Sequence, residues 1–149
     1  MTIWVDADAC PAVIRDILIR AARRTRVALV FVTNSYLPLP ADDNIRLQQV
    51  GSGYDVADNE IVRQAEPGDL VVTSDLPLAN DVLEKGARVV SHRGDAMTLN
   101  TIKARLNMRD FMETMRASGV HTGGPPALSA ADRKAFAQVL DSYLHSTRR

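Results

Sequence analysis

The sequence predicts an α/β fold of three layers, with helices covering a mostly parallel, five-stranded sheet. Two observations carry this expectation. Apolar runs of strand length alternate with segments of helical periodicity, the pattern of a parallel sheet joined by right-handed crossovers. Two of those runs, VALVFVT at Val27–Thr33 and DLVVT at Asp69–Thr73, are almost continuously apolar, as strands covered on both faces are. The strand order expected for a doubly wound sheet of this kind is 3-2-1-4-5. A chain of 149 residues fits one domain, 1–149, with a helical C-terminal portion spanning about residues 98–147.

Thr2–Asp6 holds β-branched Ile3 and Val5, ends in acid, and reads as the first strand. Pro11 suits a first helical position. Val13, Ile14, Ile17, Leu18, Ala21 and Ala22 follow at helical spacing, with Arg15, Asp16, Arg20 and Arg23 facing away. Arg23, Arg24 and Arg26 close this helix, where cations meet the negative end of its dipole. Val27–Thr33 is the second strand, and Pro38 and Pro40 exclude helix from the loop Asn34–Asp43. Ile45–Val50 mixes in Arg46, Gln48 and Gln49, reads as a polar edge strand, and is broken by Gly51 and Gly53.

Val56–Ala65 is a short helix stopped by Pro67-Gly68, and Asp69–Thr73 is the fourth strand, ending at Ser74-Asp75. Leu78–Lys85 is a helix ended by Gly86, and Ala87–Ser91 is the fifth strand. Leu99–Ala117 forms a long helix with Gly119 just beyond it. After Gly123-Gly124-Pro125-Pro126, Ser129 caps a last helix with Asp132 three residues on. Its apolar face is Phe136, Val139, Leu140, Tyr143 and Leu144.

Composition narrows the functional classes. Basic and acidic residues balance at 18 each, so any polyanion partner must meet a local patch rather than a global field. Fifteen of the basic residues are Arg, whose planar fork suits phosphate. The lone Cys10 permits no internal disulfide, and the N-terminal Met-Thr-Ile-Trp-Val-Asp is not a signal peptide, so a cytoplasmic location is expected. No apolar stretch approaches the ~18 residues of a membrane span, and no membrane partner is expected.

The chemistry concentrates in carboxylates at strand ends. Asp6 closes the first strand and Asp75 the fourth; in the order 3-2-1-4-5 these strands are neighbours at the switch point, where ligands bind beyond the carboxyl edge. Asp8 follows in the same loop as Asp6, and Asp55 and Asp58 open the helix leading to strand four. Crowded carboxylates raise one another's pKa unless a cation holds them. Oxygen ligands without a His or Cys cluster select a hard ion, Mg²⁺ or Mn²⁺. His92, His121 and His145 are scattered and show no zinc spacing. Capping of the following helix is the structural alternative for Asp58 or Asp75.

These motifs carry a resemblance. Val5-Asp6-Ala7-Asp8-Ala9-Cys10-Pro11, Asp55-Val56-Ala57-Asp58-Asn59-Glu60-Ile61, Gly68-Asp69-Leu70-Val71-Val72-Thr73-Ser74-Asp75 with Leu78-Ala79, and Gly123-Gly124-Pro125-Pro126 closely resemble the YaiI/YqxD family of bacterial proteins, from Ile3 into the final helix. That family is similar to PIN-like nuclease domains. The resemblance implies a PIN-like fold and Mg²⁺ or Mn²⁺ ligands at Asp6, Asp58 and Asp75. The PIN pattern also has a glutamate between strands two and three, where this chain offers only Asp42 and Asp43. Asp8 or Asp55 is the substitute. The implied activity is metal-dependent phosphodiester hydrolysis, with single-stranded RNA as the expected partner and Asp6, Asp8, Asp58 and Asp75 as the catalytic set.

Expected substrate contacts are Asn34 and Ser74 at strand ends, Arg93 after strand five, and Arg105 and Arg109, which with Arg116 lie within about 40° on one helix. A solvated face, with Arg109 paired to Glu113, is the alternative for that stripe. Tyr36 can stack a base or pack beneath the prolines. Cys10 is expected to be a small buried residue, and Gly51-Ser52-Gly53 lacks the third glycine of a dinucleotide fingerprint. Two rival functions remain. One is a PIN-like module that binds metal, RNA or protein without cleaving. The other is a phosphatase resembling the haloacid dehalogenases, whose strand-one Asp-x-Asp is matched here but whose lysine before the strand-four loop is not, since only Arg precedes Lys85 there.

Overall fold

β-Branched and aliphatic runs form β1 (Thr2–Asp6), β2 (Ala28–Thr33), β3 (Ile45–Gln49), β4 (Leu70–Val72) and β5 (Arg88–Val90), all parallel. The computed structural model describes residues 1–51, 53, 56–104 and 128–147. The sheet order is β3-β2-β1-β4-β5-β6, so the predicted order holds and one strand is added. That strand, β6 (Ala96–Met97), runs antiparallel to β5 at the edge. It is too short to carry any sequence period. The turn between them is closed by Ser91, whose hydroxyl accepts the backbone N–H groups of Arg93 and Asp95.

The helices are α1 (Ala12–Thr25), α2 (Val56–Gln64), α3 (Leu76–Glu84), α4 (beginning at residue 99 and described to 104) and α5 (Ala130–Thr147). Strand alternation sorts the core into two halves. Ile3, Val5, Leu29, Phe31, Leu70 and Val72 point to the face covered by α1 and α5, where Ile14, Leu18, Phe136, Leu140 and Leu144 meet them. Trp4, Val30, Val32, Val71 and Val89 point to the other face, covered by Ile61 of α2, Leu78 and Val82 of α3, and Ile102. The proline loop between β2 and β3 forms no helix but packs Leu37 and Leu39 against the α1 side. Gln48 explains the polarity of β3: its amide donates to Glu60 of α2 across the edge.

The amino edge of the sheet is built for stability. Arg26 ends α1 in the left-handed conformation (φ 65°), and Asn44 donates to the carbonyls of Ala22 and Val27. Asp42 pairs there with Arg23 and Arg26. This residue precedes β3, so the parallel sheet carries it to the edge opposite the end of β1, away from Asp6. Tyr143 of α5 donates to the Gly68 carbonyl at 2.8 Å, with the Arg88 guanidinium 5.7 Å from its ring centroid.

Asp69, 5% exposed, accepts from Thr2 N (2.9 Å), Trp4 Nε1 (3.0 Å) and Glu66 N (3.0 Å). An amide offers one acceptor oxygen and turns its NH₂ toward one of these donors. Asp69→Asn is therefore expected to lose about 1.5 kcal/mol of stability, read by urea unfolding followed through the fluorescence of Trp4.

Candidate active site

The carboxyl edge of the sheet brings the tips of β1, β2, β4 and β5 together. Registers pair Val5 with Val72 and Val72 with Val90, so Asp6, Thr73 and Ser91 follow one another along the edge. Alternation turns Asp6 to the α2/α3 face, together with Trp4. A cleft of about 410 Å³ opens there, lined by Asp6, Ala9, Ser74, Asp75, Leu76 and His92.

Asp6 is 7% exposed. Burial first, then the charges of Asp8 and Asp75, raise its carboxyl to about 6, while the Thr73 hydroxyl, 3.5 Å away, acts in the opposite direction. Asp75 is the N-cap of α3: its Oδ1 accepts from Leu78 N at 2.9 Å, and its own N–H donates to Thr73 Oγ1 at 3.0 Å. Capping and site membership are thus compatible in one residue, since a carboxylate has a second oxygen. Asp75 also explains why α3 starts at Leu76, with Pro77 in its first turn, rather than at Leu78.

Asp8 lies in the short 3₁₀ turn Ala7–Ala9 and turns toward β2. Its carboxylate accepts from the Thr33 hydroxyl at 2.5 Å and from Asn34 N at 3.2 Å. Asn34 therefore contributes its backbone to the site. Asp58 sits in the first turn of α2, which leaves β3 and crosses to β4, so its N-terminal end faces the same edge as Asp6. Among the described residues, no group of three or more His, Cys, Asp or Glu side chains is close enough to hold an ion by itself. Asp6 feels Asp8 and Asp75 electrostatically, while Thr33 and Asn34 fix the Asp8 carboxylate and Leu78 N that of Asp75.

Arg93 is ion-paired to Asp132 of α5 at 2.6 Å. Asp132 also belongs to the predicted capping box, accepting from Ser129 N while its own N–H donates to Ser129 Oγ. Asp55, Arg105 and Arg109, with Arg116 and the Gly123-Gly124-Pro125-Pro126 segment, lie outside the described residues. Tyr36 is 74% exposed just past β2. Burial pushes the Cys10 thiol up to about 12, so it offers no thiolate at neutral pH.

His92 is the member of the cleft that sequence reasoning missed. Its Nδ1 lies 3.1 Å from Ser74 Oγ, and burial lowers its pKa, which favours the neutral ring. The signal was positional: His92 stands two residues beyond β5, as Ser74 stands two beyond β4, and these strands are parallel neighbours.

A family model described as "Uncharacterized BCR, YaiI/YqxD family" matches residues 4–146. A UPF0178 protein of Vibrio cholerae serotype O1 (strain ATCC 39315 / El Tor Inaba N16961) is 62% identical over 144 residues, covering 97% of each chain. One from Chromobacterium violaceum is 61% identical over 97% of this chain and 98% of its own. One from Alkalilimnicola ehrlichii is 58% identical over 99% of this chain and 100% of its own. No solved structure matches the chain.

Proposed function

The chain belongs to the YaiI/YqxD family, and from the cleft at its β1–β4 switch point we propose a divalent-metal-dependent nuclease that hydrolyses phosphodiester bonds of single-stranded RNA. The observation that carries this reading is Asp6: a buried carboxylate at a strand tip, in a cleft whose influences on it are burial, two further carboxylates and a hydroxyl. Such a donor set fits a hard cation in kind. Asp6 and Asp75 would hold Mg²⁺ or Mn²⁺, with waters completing a shell that these ions keep readily. When bound, the ion supplies charge neutralisation at the phosphoryl oxygens and a water of lowered pKa.

The chain's own groups do the rest. Asp75 is prepositioned by its cap to Leu78 N, and Asp8 braces the β2 tip through Thr33 and Asn34. Asp58, at the head of α2, faces the same edge and is the candidate for holding outer waters. Ser74, exposed in the cleft, offers a hydroxyl to the substrate phosphate. The exposed ring of Tyr36 at the same edge supports a single-stranded substrate, because any unpaired base presents a face for stacking.

Calorimetric titration with Mn²⁺ tests the reading. Wild type is expected to bind, and Asp75→Asn, which keeps the capping oxygen but removes the charge, is expected to bind at least ~10-fold more weakly. Unchanged affinity in that variant overturns the metal site. Retention of labelled oligouridylate without cleavage in Mn²⁺ would instead identify a binding module.

A further inference from the structure

We propose that His92 is a positioning residue that turns the hydroxyl hydrogen of Ser74 into the cleft, making Ser74 a donor to a phosphoryl oxygen of the substrate. The inference rests on the nuclease reading and deepens it. Ser74 Oγ is approached by two nitrogens of one residue: His92 Nδ1 at 3.1 Å and, more distantly, His92 N at 3.5 Å. The backbone nitrogen can only donate. If Nδ1 also carries its hydrogen, both lone pairs of Ser74 Oγ are engaged, and the hydroxyl's own hydrogen has only the cleft side left.

The far ring nitrogen selects that tautomer. His92 is 7% exposed, and its Nε2 is buried with no hydrogen-bond partner among the described residues. Buried N–H groups without acceptors are rarer than under-satisfied acceptors. A bare Nε2 with the hydrogen on Nδ1 is therefore the favoured arrangement, and it makes His92 a donor to Ser74. The ring has little freedom to depart from it. The turn that carries it is closed by Ser91, tied to α5 by Arg93–Asp132, and pressed by Gly94 against Ala135 and Phe136.

Long-range ¹H–¹⁵N NMR of the ligand-free protein tests the first half. The Nδ1–H tautomer is expected for His92, and an Nε2–H tautomer overturns the proposal. The second half is read by fluorescence anisotropy with a short phosphorothioate oligouridylate in Mn²⁺. Ser74→Ala and His92→Leu are each expected to weaken binding by about tenfold, with Mn²⁺ affinity unchanged. His92→Asn, whose side-chain NH₂ can replace the Nδ1–H donor, is expected to recover most of the loss. Equal binding by wild type and His92→Leu overturns the inference while leaving the nuclease reading intact. Failure of wild type to bind the probe overturns both.

Discussion

Asp6→Asn is expected to make the metal-free protein more stable at neutral pH while removing its capacity to be stabilised by Mn²⁺. The carboxyl titrates at about 6 in the folded chain against an ordinary value of 3.8, because it is buried and feels the charges of Asp8 and Asp75. An acid whose folded pKa is raised destabilises the fold when ionised. The penalty is absent below the unfolded value, grows as pH rises from about 4 to about 6, and is complete above that. A shift of this size corresponds to about 3 kcal/mol, and solvent reaching the cleft screens it to about 2 kcal/mol. Urea unfolding across this pH range should show wild type losing that stability as pH rises and the Asn variant staying flat. Added Mn²⁺ should raise the wild-type midpoint by mass action and leave the variant unmoved. Parallel pH profiles for the two proteins would remove the electrostatic basis of the site.

Gly94→Ala is expected to cost about 4 kcal/mol, the largest loss from any single methyl group proposed for this chain. Gly94 has φ +86°, and a Cβ there would lie 2.6 Å from Ala135 C and Phe136 N and 2.8 Å from Ala135 Cβ. The obstacle is helix backbone, so α5 must shift bodily or the turn must open. Gly68→Ala is the control: its φ is similar at +88°, but nothing lies within 4 Å of the added carbon. It should cost about 1 kcal/mol from conformation alone. The difference between the two variants in urea midpoint isolates the packing contribution. Because the turn also carries His92, Gly94→Ala should displace the Ser74–His92 pair as well. Equal losses in both variants would show that α5 yields freely to the turn.

Local chemistry made much of this legible in advance. The five parallel strands and the helices between them followed from apolar runs and stop signals, and their order from the precedent of doubly wound sheets. The Ser129–Asp132 capping box was visible as two residues at the right spacing. Asp6 and Asp75 could be set side by side because strand order alone brings β1 and β4 together. β6 was invisible, since two residues carry no period and its pairing depends on the turn that Ser91 closes. His92 read as one of three scattered histidines because its partner is distant in sequence and near only through the β4–β5 register.

The chain by itself determined which residues are strands, which are helices, and that acids gather at one edge, because these follow from side-chain polarity and period. Only the tertiary structure decided what each acid does. It buried Asp6, gave Asp75 a cap, turned Asp8 to Thr33 and Asn34, and sent Asp42 to Arg23 and Arg26 at the opposite edge. The reason is physical: a carboxylate's charge state and partners depend on burial and on donors brought close by packing, and neither is a property of the residue alone.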